Sequence, residues 1–252
     1  MEWLKKQSLS VRRHLSTAAV IATQVYNAKI PEWNKLQVRY MKEFDDQRKG
    51  RKLTIKQKDQ MPKGGFDRIK KVISTMKKEL QHLKNLDSVT DLVRYQDLII
   101  LSLYYEYPLR LDYATLKLDD TKSGNCLVKN TKKPRGWRII LRDFKTVKSK
   151  GNQDFKLGPA NQRLLNKFVP AVKKLTTHGF LLTNSRGQKM TKQVLSKRLM
   201  QITSKRIGKA FSVQLLRILY AMRNRDVIES AKEVSDKLLH SAKQSLQYAK
   251  KD

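Results

Sequence analysis

Thr90-Asp91-Leu92-Val93-Arg94-Tyr95-Gln96-Asp97-Leu98-Ile99-Ile100-Leu101-Ser102-Leu103-Tyr104-Tyr105-Glu106-Tyr107 reads as one helix, apolar on more than one face through Leu98, Ile99, Ile100, Leu101 and Leu103. A helix at a protein surface shows a single apolar stripe, so one that is apolar nearly all round belongs at the centre of a core. Asp87 or Ser88 stands where a capping side chain is needed. Just before it, Phe66 to Lys84 places Ile69, Val72, Ile73, Met76, Leu80 and Leu83 on one side at helical spacing. After it, from Leu116 to Leu157, the pattern changes to short β-prone runs, Asn125 to Lys129, Trp137 to Thr146 and Asp154 to Leu157, with Val147 to Gln153 as a hairpin turn. Helical periodicity then returns over Asn161 to Leu175, Thr191 to Ile202, Ser212 to Arg223, Ile228 to Leu239 and Ala242 to the end.

Toward the N-terminus, the periodicity predicts helices over Ser10 to Tyr26, Glu32 to Arg48 and Thr54 to Gln60. Met61-Pro62-Lys63-Gly64-Gly65 then breaks the pattern. The expected fold class is α+β, mostly α. A small helical domain spans residues 1–63, and a larger domain of helices around a small antiparallel sheet spans 64–252.

The formal net charge is +33, from 55 Lys and Arg against 22 Asp and Glu. A compact chain with that excess repels itself unless a polyanion neutralises it, so a nucleic acid is the expected partner. Charge alone leaves RNA open, but no aromatic RNA-binding motif accompanies it. No run approaches the roughly 18 apolar residues of a spanning helix, and the start, Met1-Glu2-Trp3-Leu4-Lys5-Lys6, has no secretory apolar stretch, so no membrane partner and an intracellular, soluble protein are expected. One cysteine, Cys126, and four histidines without ligand spacing argue against a disulfide or a metal site. Glycine-rich phosphate loops are absent, so any reaction must proceed without ATP and, on this reading, without a cofactor.

Within the larger domain several chemistry-bearing residues occur in a distinctive order. Arg110 follows the central helix in Tyr107-Pro108-Leu109-Arg110-Leu111-Asp112-Tyr113. Lys145 lies where the first hairpin strand meets its turn, with Lys148 and Lys150 close behind. Gln214 and Arg217 sit three apart in Val213-Gln214-Leu215-Leu216-Arg217, and His240 and Tyr248 fall in Leu239-His240-Ser241-Ala242-Lys243-Gln244-Ser245-Leu246-Gln247-Tyr248.

This order resembles the tyrosine recombinases, the phage-integrase-like enzymes, over about residues 66–252, and most nearly the integrases of virophages and large DNA viruses. The resemblance implies a site-specific recombinase, acting on host or viral DNA and in the nucleus if the host is eukaryotic, that cleaves and rejoins double-stranded DNA through a 3′-phosphotyrosine intermediate. It implies a homo-oligomer, a tetramer on paired sites, and genome integration as the biological setting. Arg110 and Arg217 would hold the nonbridging phosphate oxygens with paired, permanently charged donors. Lys145, with Lys148 and Lys150 as rivals, would protonate the leaving 5′ oxygen. His240 would bond to the phosphate and Tyr248 would attack it. A free tyrosine, with a pKa of about 10, needs nearby cations to do so at neutral pH.

The pattern departs from the family in three places. Gln214 stands where His or Lys is usual and can donate to phosphate but cannot shuttle a proton. Asp112 lies two residues after Arg110 rather than three, which leaves its support of Arg110 open, and Leu239 replaces a glycine. Two alternatives stay open: a catalytically inactive recombinase-fold DNA-binding protein, or a type IB topoisomerase-like relaxing enzyme. The N-terminal region resembles the family's helical core-binding domain more weakly, with Arg12, Arg13, Lys35, Arg39, Arg48, Arg51 and Lys52 as its phosphate-contact candidates.

Overall fold

The computed structural model describes residues 2–28, 30–49, 53–119, 122–133 and 135–237, with side chains for all of these but 48, 49 and 232–237. The chain divides into two units, Met1–Asp59 and Gln60–Asp252. The architecture is mostly helical, with one small antiparallel sheet. No helix among the described residues is long and apolar enough to cross a membrane.

In the first unit, α1 (Glu2–Lys5) leads into α2 (Leu9–Val25), which packs against α3 (Pro31–Lys49), and α4 (Ile55–Gln60) follows. Ser8 accepts a hydrogen bond from the Val11 amide and so caps α2. The buried apolar side chains of this unit are Leu4, Val20 and Tyr40. The Arg12 guanidinium lies over the ring of buried Tyr40 and that of Arg13 over the half-buried Phe44 ring.

The second unit is built around the helix predicted to be central. After α5 (Asp67–Glu79), α6 (Val89–Glu106) runs through the core with Leu98, Ile99, Ile100 and Leu101 all buried. Four consecutive apolar side chains point in four directions around a helix, which is why α5, α8, α9 and α10 can all pack on this one element. Ser88 is its cap, accepting from the Asp91 amide at 3.1 Å and donating to the Asp91 carboxylate at 2.8 Å. Ser88→Ala is expected to lower stability by about 1 kcal/mol, read from a thermal or urea melt.

A 3-10 turn, Asp112–Thr115, leads from α6 toward the sheet of β1 (Cys126–Asn130), β2 (Gly136–Leu141) and β3 (Gln153–Lys156), in the order β1-β2-β3. Leu127 pairs with Ile139, and Ile139 with Phe155. Trp137, Ile139 and Leu141 alternate inward from β2. A single helical turn, α7 (Val147–Lys150), lies between β2 and β3. Then come α8 (Pro159–Leu175), α9 (Lys192–Ile207), α10 (Val213–Arg223) and α11 (Arg225–Lys237).

Several boundaries differ from the sequence reading. Helix α5 ends at Glu79 instead of Lys84, because the chain tightens there into three-residue turns, Gln81 N–H to Lys78 O and Leu83 N–H to Leu80 O, which deliver Leu80 and Leu86 to the core. Strand β2 ends at Leu141 instead of Thr146, because the Arg142 and Asp143 amides bond to the Asn125 side chain rather than to a partner strand. The expected hairpin turn contains the α7 turn of helix. Helix α9 continues past Ile202 to Ile207, where Gly208 at φ 78 supplies the left-handed cap. The helix expected from Ala242 onward lies outside the described residues.

Candidate functional site

The segment that carries Arg110 is held by its carbonyls. Tyr113 donates its hydroxyl to the Tyr107 carbonyl at 2.6 Å, Arg217 donates from Nη1 to the Pro108 carbonyl at 2.8 Å, and Tyr104 donates to the Arg110 carbonyl at 2.6 Å. Tyr104 and Tyr113 are buried edge to face, with ring centroids 5.0 Å apart. Burial pushes both phenols well above their ordinary range, so they remain protonated donors. With its backbone so anchored, Arg110 presents an exposed side chain.

Arg217 is half-buried on α10, three residues after the exposed Gln214, which puts the two on one side of the helix. Its bond to Pro108 joins positions 109 apart in the chain and brings the Arg217 guanidinium to the backbone two residues before Arg110. Asp112 opens the 3-10 turn. Burial raises its carboxyl above the usual carboxylate range, and Lys192, the Arg110 side chain and the backbone N–H groups of Arg110 and Asp112 oppose that rise. Asp112 is therefore electrostatically coupled to Arg110 despite its shifted spacing. Lys192, at the start of α9, which packs against this turn, lies near enough for its charge to act on the Asp112 carboxyl.

Lys145 is exposed in the loop between β2 and α7, next to Phe144, which packs on the core. Lys148 and Lys150 are exposed on α7. The loop is tied back by Asn125, which is buried. Its Nδ2 donates to Thr115 Oγ1 at 2.8 Å and to the Asp143 carbonyl at 2.7 Å, and its Oδ1 accepts from the amides of Arg142 and Asp143, both at 2.9 Å. Thr115 closes the 3-10 turn that begins two residues after Arg110. One buried carboxamide thus connects the Arg142 and Asp143 backbone, shortly before Lys145, to the Thr115 hydroxyl, on the turn that begins two residues after Arg110.

His240 and Tyr248 lie outside the described residues. In the first unit, Arg12 and Arg13 lie over aromatic rings, Lys35 is exposed, and Arg39 pairs with Glu43 at 2.8 Å. The Arg48 side chain and residues Arg51 and Lys52 are outside the described set. Sequence reasoning did not single out Asn125 or Lys192. Asn125 opened an expected strand, and its signal was a polar side chain among residues about to be buried. Lys192 carried no signal, since its importance comes from the meeting of α9 with the Asp112 turn.

Compared with known proteins, the chain matches no family model and no curated protein.

Proposed function

We propose that this chain is a tyrosine recombinase that cleaves and rejoins double-stranded DNA. The observation that carries the reading is the Arg217 to Pro108 bond, which brings one guanidinium to the backbone two residues before the other arginine, as joint binding of one phosphate would require. In the proposed reaction the Tyr248 oxygen attacks phosphorus, the P–O5′ bond breaks, and the 5′ oxygen leaves with a proton from Lys145. The tyrosine proton passes to solvent or to a neighbouring base. The phosphodiester energy is kept in the tyrosine–phosphate bond, so attack by a 5′ hydroxyl reverses the sequence and no nucleotide cofactor is consumed. Arg110 and Arg217 stabilise charge on the nonbridging oxygens, and Gln214 and His240 add hydrogen bonds. Recombination requires two sites and hence several copies of the chain, as in the family it resembles.

The test is a nicked duplex, carrying the DNA that flanks the chain's own coding element, resolved on a denaturing gel. Wild type is expected to give a covalently shifted band that Tyr248→Phe does not. Binding without that band moves the reading to an inactive DNA-binding relative, in keeping with Gln214, which cannot shuttle a proton. Relaxation of supercoils by isolated monomers moves it to a topoisomerase. On duplex DNA, log affinity is expected to fall against log salt with a slope of about −0.9 per phosphate contacted.

A further inference from the structure

We infer that Asn125 is a positioning residue for the proton-donating lysine, an inference that rests on the recombinase reading above. Its carboxamide has two N–H donors and two acceptor lone pairs, and all four are used. A buried Asn that only completed a strand would need one or two partners close in sequence. Asn125 instead reaches Thr115, ten positions back, and Arg142 and Asp143, seventeen and eighteen positions ahead. Its own carbonyl also accepts from the Lys117 amide at 3.0 Å. The Arg142 guanidinium donates to Cys126 Sγ at 3.3 Å, so the same short stretch is gripped from a second side chain.

The geometry matters because of where the strand stops. Strand β2 gives up its ladder at Leu141, and the two amides that would continue it are taken by Asn125 Oδ1. Asn125 thus acts on the direction in which the chain leaves the sheet, and hence on where Lys145 begins, together with the Arg142 contact to Cys126 and the packing of Phe144 on the core. A proton donor must come within hydrogen-bond reach of the leaving oxygen, and a displacement of about 1 Å costs on the order of 100-fold in rate. The fixed end of the link is Thr115, on the turn that also holds Asp112 beside Arg110. Asn125 therefore holds the donor loop in register with the backbone that carries the phosphate-binding arginine.

The experiment compares two nicked duplexes of the same sequence, one ordinary and one with sulfur in place of the leaving 5′ oxygen. A thiolate, whose conjugate acid has a pKa of about 8.5, leaves without a proton donor. Asn125→Ala is expected to slow covalent-complex formation on ordinary DNA about 100-fold. Duplex affinity should stay within about twofold, and the sulfur-containing DNA should restore the rate to near wild type. Lys145→Ala should give the same pattern. Thr115→Val removes only the Oγ1 link and is expected to show a smaller defect with the same rescue, which serves if Asn125→Ala melts early. If wild type cleaves but the Asn125 and Thr115 variants are equally slow on both DNAs, or slow on neither, the inference is overturned alone. If wild type forms no covalent product on either DNA, the recombinase reading falls and takes the inference with it.

Discussion

If the proposed reaction holds, Arg217→Lys is expected to lower the rate of covalent-complex formation on a nicked duplex by about 100- to 1000-fold, while the melting midpoint and the salt slope of DNA binding hold. The expectation follows from the number of directions in which each side chain can donate. Arg217 already commits Nη1 to the Pro108 carbonyl. Its planar fork still offers the remaining N–H groups to a phosphate oxygen, with the angle between them fixed by resonance. A lysine keeps the charge, so long-range attraction to DNA survives. Its single nitrogen cannot hold the carbonyl and also present a paired donor to the phosphate. Removing one well-placed donor to developing negative charge costs about 10²–10³ in rate, which sets the magnitude. A rate within about fivefold of wild type would remove Arg217 from the chemistry and leave it as a brace for Pro108.

The second large effect is on stability. Phe168→Ala is expected to destabilise the protein by about 3–5 kcal/mol, lowering the melting midpoint of the larger unit by roughly 10 °C in a thermal scan followed by circular dichroism. Phe168 is fully buried on α8 and stacks on Tyr95 of α6, with ring centroids 6.2 Å apart. Loss of the ring removes its transfer free energy and leaves a void against α6, the helix on which most of the others pack. The surroundings cannot easily close it: Tyr95 is itself covered on one side by the Lys167 ammonium, 5.1 Å from its ring. A change below about 1.5 kcal/mol would mean that α8 and α6 collapse into the space and that the core is softer than its burial indicates.

What was legible in the sequence follows from how local each cause is. The central placement of α6 was readable because Leu98 to Leu101 leave a helix no polar side. The cap of α6 was readable as Asp87 or Ser88, with Ser88 the one found, because an N-cap acts within three residues. The end of α5 was not, since no Gly or Pro lies between Leu80 and Ser88 and the turn is driven by the burial of Leu80 and Leu86. The end of β2 was missed for a similar reason: Arg142-Asp143-Phe144-Lys145-Thr146 contains no breaker, and the strand stops because a distant Asn takes its amides. Order along the chain suggested Arg110, Lys145 and Arg217 as candidates. Only tertiary structure supplies the Pro108 bond, the coupling of Asp112 to Lys192 and the tie through Asn125, because each joins elements far apart in sequence.

The three-stranded sheet also bears on how copies of this chain can meet. The start of β1 is already bridged on its outer side by Lys117, which in turn bridges Phe180. The opposite margin is β3, four residues long, with Asp154 and Lys156 projecting into solvent and the Tyr107 phenol donating to the Lys156 carbonyl. Little unpaired backbone is left through which one molecule could template a strand of the next. At high protein concentration, this sheet therefore offers little exposed strand edge from which a fibril could start.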